Sequence, residues 1–113
     1  MLAAAHRTAA EDIETTIASL AAVARAARLV IEGAWGAAFH WIAYGTETKH
    51  GRHQESHAHL GTSLRTLGES ATADRWERLD NIRKGGWYGN KADPLAVSIA
   101  LSLVQEIQVW ATT

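Results

Sequence analysis

Histidines are concentrated in one polar stretch of the chain. Of six histidines, four lie at His50, His53, His57 and His59, and His40 lies just upstream. Imidazole nitrogens bind divalent metals, and His53 and His57 would share one helical face as two ligands of a metal site do, with His50 approaching from the preceding turn. The pattern lacks the glutamate of the HExxH zinc motif, and the sequence has no cysteine. A solvated histidine cluster is therefore the alternative interpretation.

Charge limits the kinds of ligand that the chain can attract. Lys and Arg number 11 against 12 Asp and Glu, a formal net charge of -1, which excludes a global basic field for nucleic acid. Any phosphate site must therefore be local. Lys49 and Arg52 lie among the histidines, so protonated imidazoles would complete a positive patch able to hold an anion, with a solvated loop as the alternative.

A glycine-rich segment, LDNIRKGGWYGN at 79–90, is the second candidate site. Arg83 and Lys84 supply two cations, and Trp87 and Tyr88 supply aromatic faces and a hydroxyl beside glycines that permit close approach of a ligand. The alternative is structural, because cations are favoured at a helix C-terminus and Arg83 can pair with Asp80 on the same helix.

The elements that carry these residues are predicted to be helical, beginning with one long helix. Apolar residues recur every three or four positions through the first forty residues, and Thr8 with Glu11 forms a capping box. We predict a first helix from about Thr8 to Tyr44, ended by Gly45. Its length favours a bend, and a break at Gly33–Gly36 is the alternative.

Three shorter helices are predicted after a polar loop from Thr46 to Glu55. The first extends from a cap at Ser56 to Gly68, and the second begins after Ser70 or Thr72 and ends at Gly85–Gly86. The third extends from Pro94 to Trp110, after a loop from Trp87 to Ala92. Asp93 before Pro94 is the combination expected of an N-cap and a first helical residue. The predicted fold is all-α, an antiparallel four-helix bundle in a single domain over 1–113.

Aromatic residues on the first helix predict a homodimer. Trp35 and Phe39 are neighbours on one face, whereas Trp41 points elsewhere, so one small bundle cannot cover both faces. The last helix is also too apolar for a single narrow stripe. Association of two copies would bury these surfaces, since tryptophan is enriched at interfaces.

The order of these features resembles the HEPN superfamily of four-helix bundles, over roughly Ala24 to Ala111. In that family an arginine near the end of the third helix begins an R-x4-6-H motif, and RNase members use it to cut RNA without metal. Arg83 matches this arginine, and Asp80 matches a polar position upstream of it. Tyr88 stands where the histidine is missing, so the resemblance implies a branch whose members are often partners of nucleotidyltransferases.

The expected function is therefore a dimeric, HEPN-like binding or accessory domain for nucleotide or RNA phosphate, with a nucleotidyltransferase as a possible partner. The candidate ligand-binding residues are Arg83, Lys84, Tyr88, Asp80 and Trp87. A toxin-like, metal-independent RNase with a displaced histidine is one alternative, disfavoured because tyrosine is a poor general base at neutral pH.

A histidine-based metal-binding bundle, using His53, His57 and His50, is the second alternative. No cofactor is expected, and no catalytic residue is assigned. The chain shows neither a signal peptide nor the roughly 20-residue apolar run of a membrane span, which predicts a cytoplasmic protein without membrane contact.

Overall fold

The computed structural model describes residues 1–88 and 92–113, and the side chains of all of these except 86–88. The described residues form five α-helices and one short 3₁₀ turn, with no strand among them. The helices are α1 (Ala3–Ala18), α2 (Ala27–His50), α3 (Leu60–Thr66), α4 (Ser70–Tyr88) and α5 (Pro94–Thr112), and the 3₁₀ turn (Ala24–Ala26) precedes α2. The all-α class is confirmed, with five helices where four were predicted.

The predicted single helix from Thr8 to Tyr44 is wrong, because the chain turns back on itself after α1. Ile17 near the end of α1 lies beside Gly33 of α2, whereas Arg7 near its start reaches Tyr44, so the two helices run in opposite directions. This reversal buries the apolar stripe of α1 against that of α2, which one extended helix would leave exposed. The capping box is wrong too, since the Thr8 hydroxyl donates within α1 to the carbonyl of Ala4, at 3.1 Å.

The glycines of α2 allow neighbouring helices to pack closely. The alternative break at Gly33–Gly36 and the predicted helix end at Gly45 are both wrong, because α2 continues through these residues. A Cβ atom on Gly33 would lie 2.4 Å from Ile17 Cγ2 of α1, and one on Gly45 would lie 2.5 Å from Trp110 Cζ3 of α5. The helix continues to His50 and ends at Gly51, whose φ of 75° is left-handed.

We expect Gly45→Ala to lower the free energy of unfolding by about 1–2 kcal/mol, because forcing a methyl group into a filled contact outweighs the gain in helix propensity. The added Cβ would also lie 3.0 Å from the backbone Cα of Ala111, which cannot move independently of α5. Gly36→Ala is the matched control in the same helix. Its nearest neighbour would be Ile13 Cδ1 at an ordinary 3.8 Å, so a gain of about 0.5–1 kcal/mol is expected.

Urea denaturation of both variants measures this difference. Equal effects at the two positions would show that α5 does not approach α2 closely at Gly45.

The segment between α2 and α3 is shorter than predicted. The predicted loop from Thr46 is helical as far as His50, and the irregular part covers 51–59. Ser56 does not cap a helix, because its hydroxyl oxygen accepts from the backbone N–H of Ala58 in a local turn, at 3.3 Å, and α3 begins only at Leu60.

The later helix boundaries follow local signals more closely. Gly68 has a φ of 81° after α3, as predicted, and α4 begins at Ser70, one residue before the earlier of the two predicted starts. The predicted end of α4 at Gly85–Gly86 is wrong, since the helix extends to Tyr88. The N-cap of α5 is confirmed, with the Asp93 carboxylate accepting from the backbone N–H of Ala96 at 2.8 Å.

α2 is the central helix and contacts α1, α4 and α5. Its Trp41 is fully buried within one chain, and the indole N–H donates to Glu14 Oε1 at 3.0 Å. The premise that Trp41 faces a second copy is therefore wrong, because α1 covers this side of α2. The homodimer itself stays a prediction.

One helix in the described residues, α5, is long and apolar enough to cross a membrane on length and composition alone. A core helix of a soluble protein has the same properties, and α5 supplies the buried residues Leu103 and Ile107. Only 33% of the apolar window of α5 is buried, and its exposed positions include Leu95 and Val109 as well as Ser98, Ser102 and Gln105.

Candidate metal centre

Three separate parts of the chain meet at one end of the α1–α2 pair. His6 lies in the second turn of α1, and His40 faces it from α2. The irregular segment 51–59 folds back over this end and adds His53 and Glu55. The antiparallel packing of α1 on α2 therefore brings together side chains that lie far apart in the sequence.

Two imidazoles direct a nitrogen at the same carboxylate oxygen. His53 Nε2 lies 2.7 Å from Glu55 Oε1, and His6 Nε2 lies 3.4 Å from the same atom. One potential ligand atom from each of the three side chains falls within 4.8 Å of the others. Ligand atoms around a tetrahedral ion at bond lengths of about 2.0–2.2 Å lie roughly 3.3–3.6 Å apart, so His53 Nε2 and Glu55 Oε1 would have to separate to admit an ion between them.

The second nitrogen of each imidazole is already engaged. His53 Nδ1 lies 3.0 Å from Glu47 Oε2, and His6 Nδ1 lies 2.8 Å from His40 Nδ1. Without an ion, the His53 Nε2–H donates to the Glu55 carboxylate, which can only accept. An ion would replace that hydrogen, and the Nδ1–H of each ring would then donate to its outer partner. Histidine ligands of metals characteristically have this arrangement, in which an outer partner fixes the tautomer and the ring orientation.

Burial and hydrogen bonding set different protonation states for the residues of this centre. His6 is fully buried, and burial lowers the pKa of both His6 and His40, which keeps these rings neutral. Hydrogen bonds from the Met1 ammonium group and from His53 lower the pKa of Glu55 to about 2, so it is a carboxylate at neutral pH. The hydrogen bonds to Glu47 and to Glu55 raise the pKa of His53, so a metal ion would have to displace a proton from this ring.

Exposure differs sharply among the three candidate ligands. The side chain of His6 is 0% exposed, that of His53 14% and that of Glu55 55%. The centre therefore has a closed inner side and an open outer side, through which an ion could enter from water.

Of the three histidines predicted as ligands, only His53 belongs to this centre. His50 Nε2 lies 3.6 Å from Glu69, and the ring of His57 packs edge-on against Trp35 with centroids 4.9 Å apart. The prediction that His53 and His57 share one helical face is wrong, because both lie in the irregular segment 51–59. Sequence reasoning missed His6 and Glu55, as well as the outer partners His40 and Glu47.

The second candidate site has its cations paired with carboxylates. Arg83 Nε donates to both oxygens of Glu32, at 3.1 and 2.9 Å, and its guanidinium carbon lies 4.2 Å from the ring centre of Trp35. Lys84 Nζ lies 2.9 Å from Asp80 Oδ2, and Arg83 also approaches Asp80, at 3.7 Å. The structure thus brings Arg83, Lys84 and Asp80 together, with their charges largely offset.

Two further predicted residues of this site, Trp87 and Tyr88, have side chains outside the described part of the structure. The RNase alternative needs an arginine and a displaced histidine, and Arg83 and His57 both lie at the Trp35 ring of α2. The guanidinium group of Arg83 is, however, paired with Glu32.

Comparison with known proteins adds no family to this picture. No protein-family model matches the chain, and neither does any curated protein or any solved structure. The HEPN resemblance therefore stays a prediction, and the functional argument rests on the geometry of the described residues.

Proposed function

We propose that this chain binds a divalent transition-metal ion through His6 Nε2, His53 Nε2 and the carboxylate of Glu55. One observation carries the proposal: both imidazoles point Nε2 at the same carboxylate oxygen while Nδ1 of each is held by an outer partner. Two histidines and one carboxylate are the donor set of many catalytic zinc sites and of non-haem iron sites.

The arrangement fits an ion with exchangeable ligands. Three protein ligands leave at least one coordination position for water or a small molecule, unlike the closed four-ligand sites that only stabilise folds. The exposed side at Glu55 provides access to that position. An ion held there would polarise a bound oxygen or acidify a bound water, which is the general basis of metal-assisted hydrolysis.

Zinc titration with a competing chromogenic chelator tests the proposal. We expect one Zn²⁺ per chain, and we expect His53→Ala to weaken binding by about a hundredfold or more, because one of three ligands is removed. Glu47→Gln should weaken binding by about 10–100-fold, because the outer partner of His53 loses its negative charge. His57→Ala is the matched control, since it removes a histidine from the same segment but outside the centre.

Equal binding by the His53→Ala and His57→Ala variants would contradict the proposal. The proposal would also be contradicted if wild-type protein, freed of metal with a chelator and then separated from the chelator, did not bind one zinc ion per chain.

The phosphate-binding or accessory role suggested by the HEPN resemblance also stays a proposal, together with its nucleotide, RNA and nucleotidyltransferase partners. The pairing of Arg83 with Glu32 means that a phosphate would have to displace a carboxylate to reach the guanidinium group. An ion at the metal centre would also displace partners of Glu55, namely the Met1 ammonium group and the His53 hydrogen. We place the metal centre first because it joins two imidazoles and a carboxylate, the donor set of known metal sites.

A further inference from the structure

A cavity of about 350 Å³ lies between the irregular segment 51–59 and α3. Its volume is within the range of small-molecule sites. The residues around it include Arg52, His53 and His59 but no aspartate or glutamate. Glu47 and Glu55 contact His53 but do not line the cavity, so Arg52 is the cation that would face an anion inside it.

Several polar side chains around the cavity have no partner within the described residues. Arg52, Gln54, His59 and Ser63 make no side-chain hydrogen bond or ion pair in that part of the chain. Arg52 differs in this respect from Lys49, the cation just before the segment, which packs on the ring of Trp110. An unpaired guanidinium group beside free amide and hydroxyl groups can supply several hydrogen bonds to one oxyanion.

The inner wall of the cavity is apolar. Leu60 and Leu64 are fully buried core residues of α3, and Leu67 follows them at the end of that helix. A ligand that fills the cavity would therefore place hydrocarbon against these leucines while its charged group remains near Arg52.

We infer that this cavity binds a small organic anion, a molecule with one carboxylate or phosphate group and a short apolar portion. Arg52 supplies the charge, Gln54 and Ser63 supply hydrogen bonds, and the leucines of α3 contact the apolar portion. The inference goes beyond the proposed metal centre and does not require the ion. His53 lines the cavity and also belongs to the centre, so the two sites adjoin.

Nuclear magnetic resonance titration of ¹⁵N-labelled protein tests this inference, with hexanoate and butyl phosphate as separate probes in buffer containing EDTA. We expect at least one probe to shift the amide signals of segment 51–59 and α3, with a Kd in the millimolar range. Arg52→Gln should weaken that binding about tenfold or more, because a charged hydrogen-bond donor is lost. Arg78→Gln is the matched control, since Arg78 is an exposed arginine of α4 that does not line the cavity.

The two probes identify the chemistry of the anion: a response to hexanoate alone indicates a carboxylate, and a response to butyl phosphate alone indicates a phosphate ester. The inference is overturned if neither probe shifts these signals, if Arg52→Gln and wild type bind equally, or if uncharged hexanol binds as tightly as hexanoate. Because EDTA removes the metal, failure of the metal centre leaves these outcomes unchanged.

Discussion

Replacement of Trp41 by alanine is expected to lower the free energy of unfolding by about 3–5 kcal/mol, as large-to-small changes in a packed core do. Trp41 has no exposed surface, its ring centroid lies 6.1 Å from that of Tyr44, and the Arg7 guanidinium lies 5.8 Å from it. The alanine variant would also leave Glu14 without the indole N–H that it accepts. Urea denaturation of the purified variant measures the loss.

Trp41→Phe separates the two contributions to this loss. Phenylalanine keeps much of the ring but removes the N–H, so about 1–3 kcal/mol is expected for the Glu14 carboxylate left without its donor. Burial already raises the pKa of Glu14, and Glu14→Gln in the Trp41→Phe background should therefore recover part of the stability.

Measuring the stability loss of Trp41→Ala at several protein concentrations distinguishes burial within one chain from the dimer contact predicted from the sequence. A core residue of one chain destabilises each chain equally at all concentrations. A loss that disappears as the concentration of the Trp41→Ala protein rises would instead place Trp41 between two copies.

The parts of the fold that were predicted correctly depend on signals contained within a few residues. Asp93 and Pro94 define the start of α5 because a cap needs only a side chain and the next three backbone N–H groups. Gly68 ends the α3 region for an equally local reason, since its positive φ favours glycine.

The reversal between α1 and α2 was missed because no proline or glycine marks it. The chain leaves the helix at Ser19 and resumes near Ala24 within a segment rich in alanine. Conversely, Gly33 and Gly45 resembled helix breakers in sequence, whereas their role is to admit Ile17 and Trp110 from other helices. That role becomes visible only when the packing partner is known.

The candidate metal centre likewise combines residues that local sequence identifies with residues that only helix packing brings together. The histidine-rich segment was identified from sequence, and it supplies His53. The other imidazoles could not be assigned, because 34 residues separate His6 from His40 and only the antiparallel α1–α2 packing joins them. Glu55 lies in the same polar segment, but its spacing from the histidines matches no known metal-binding motif.

Zinc is expected to raise the melting temperature of the native chain by roughly 10 °C when its free concentration is a hundred times its dissociation constant. Binding to the folded state alone then contributes about 2.7 kcal/mol, and about 1 kcal/mol corresponds to roughly 4 °C for a domain of this size. The unfolded chain cannot reproduce the site, because His6 comes from α1 whereas His53 and Glu55 come from segment 51–59.

Glu55→Gln is the decisive variant for this measurement. Its side chain is more than half exposed, so the substitution removes an anionic ligand without disturbing the core. The zinc-dependent rise should be lost in Glu55→Gln and kept in His57→Ala, and Mg²⁺, which prefers oxygen ligands to imidazole, should produce little change in wild type. A rise that persists in Glu55→Gln would place zinc at other histidines, and a metal centre at His6, His53 and Glu55 would then be ruled out.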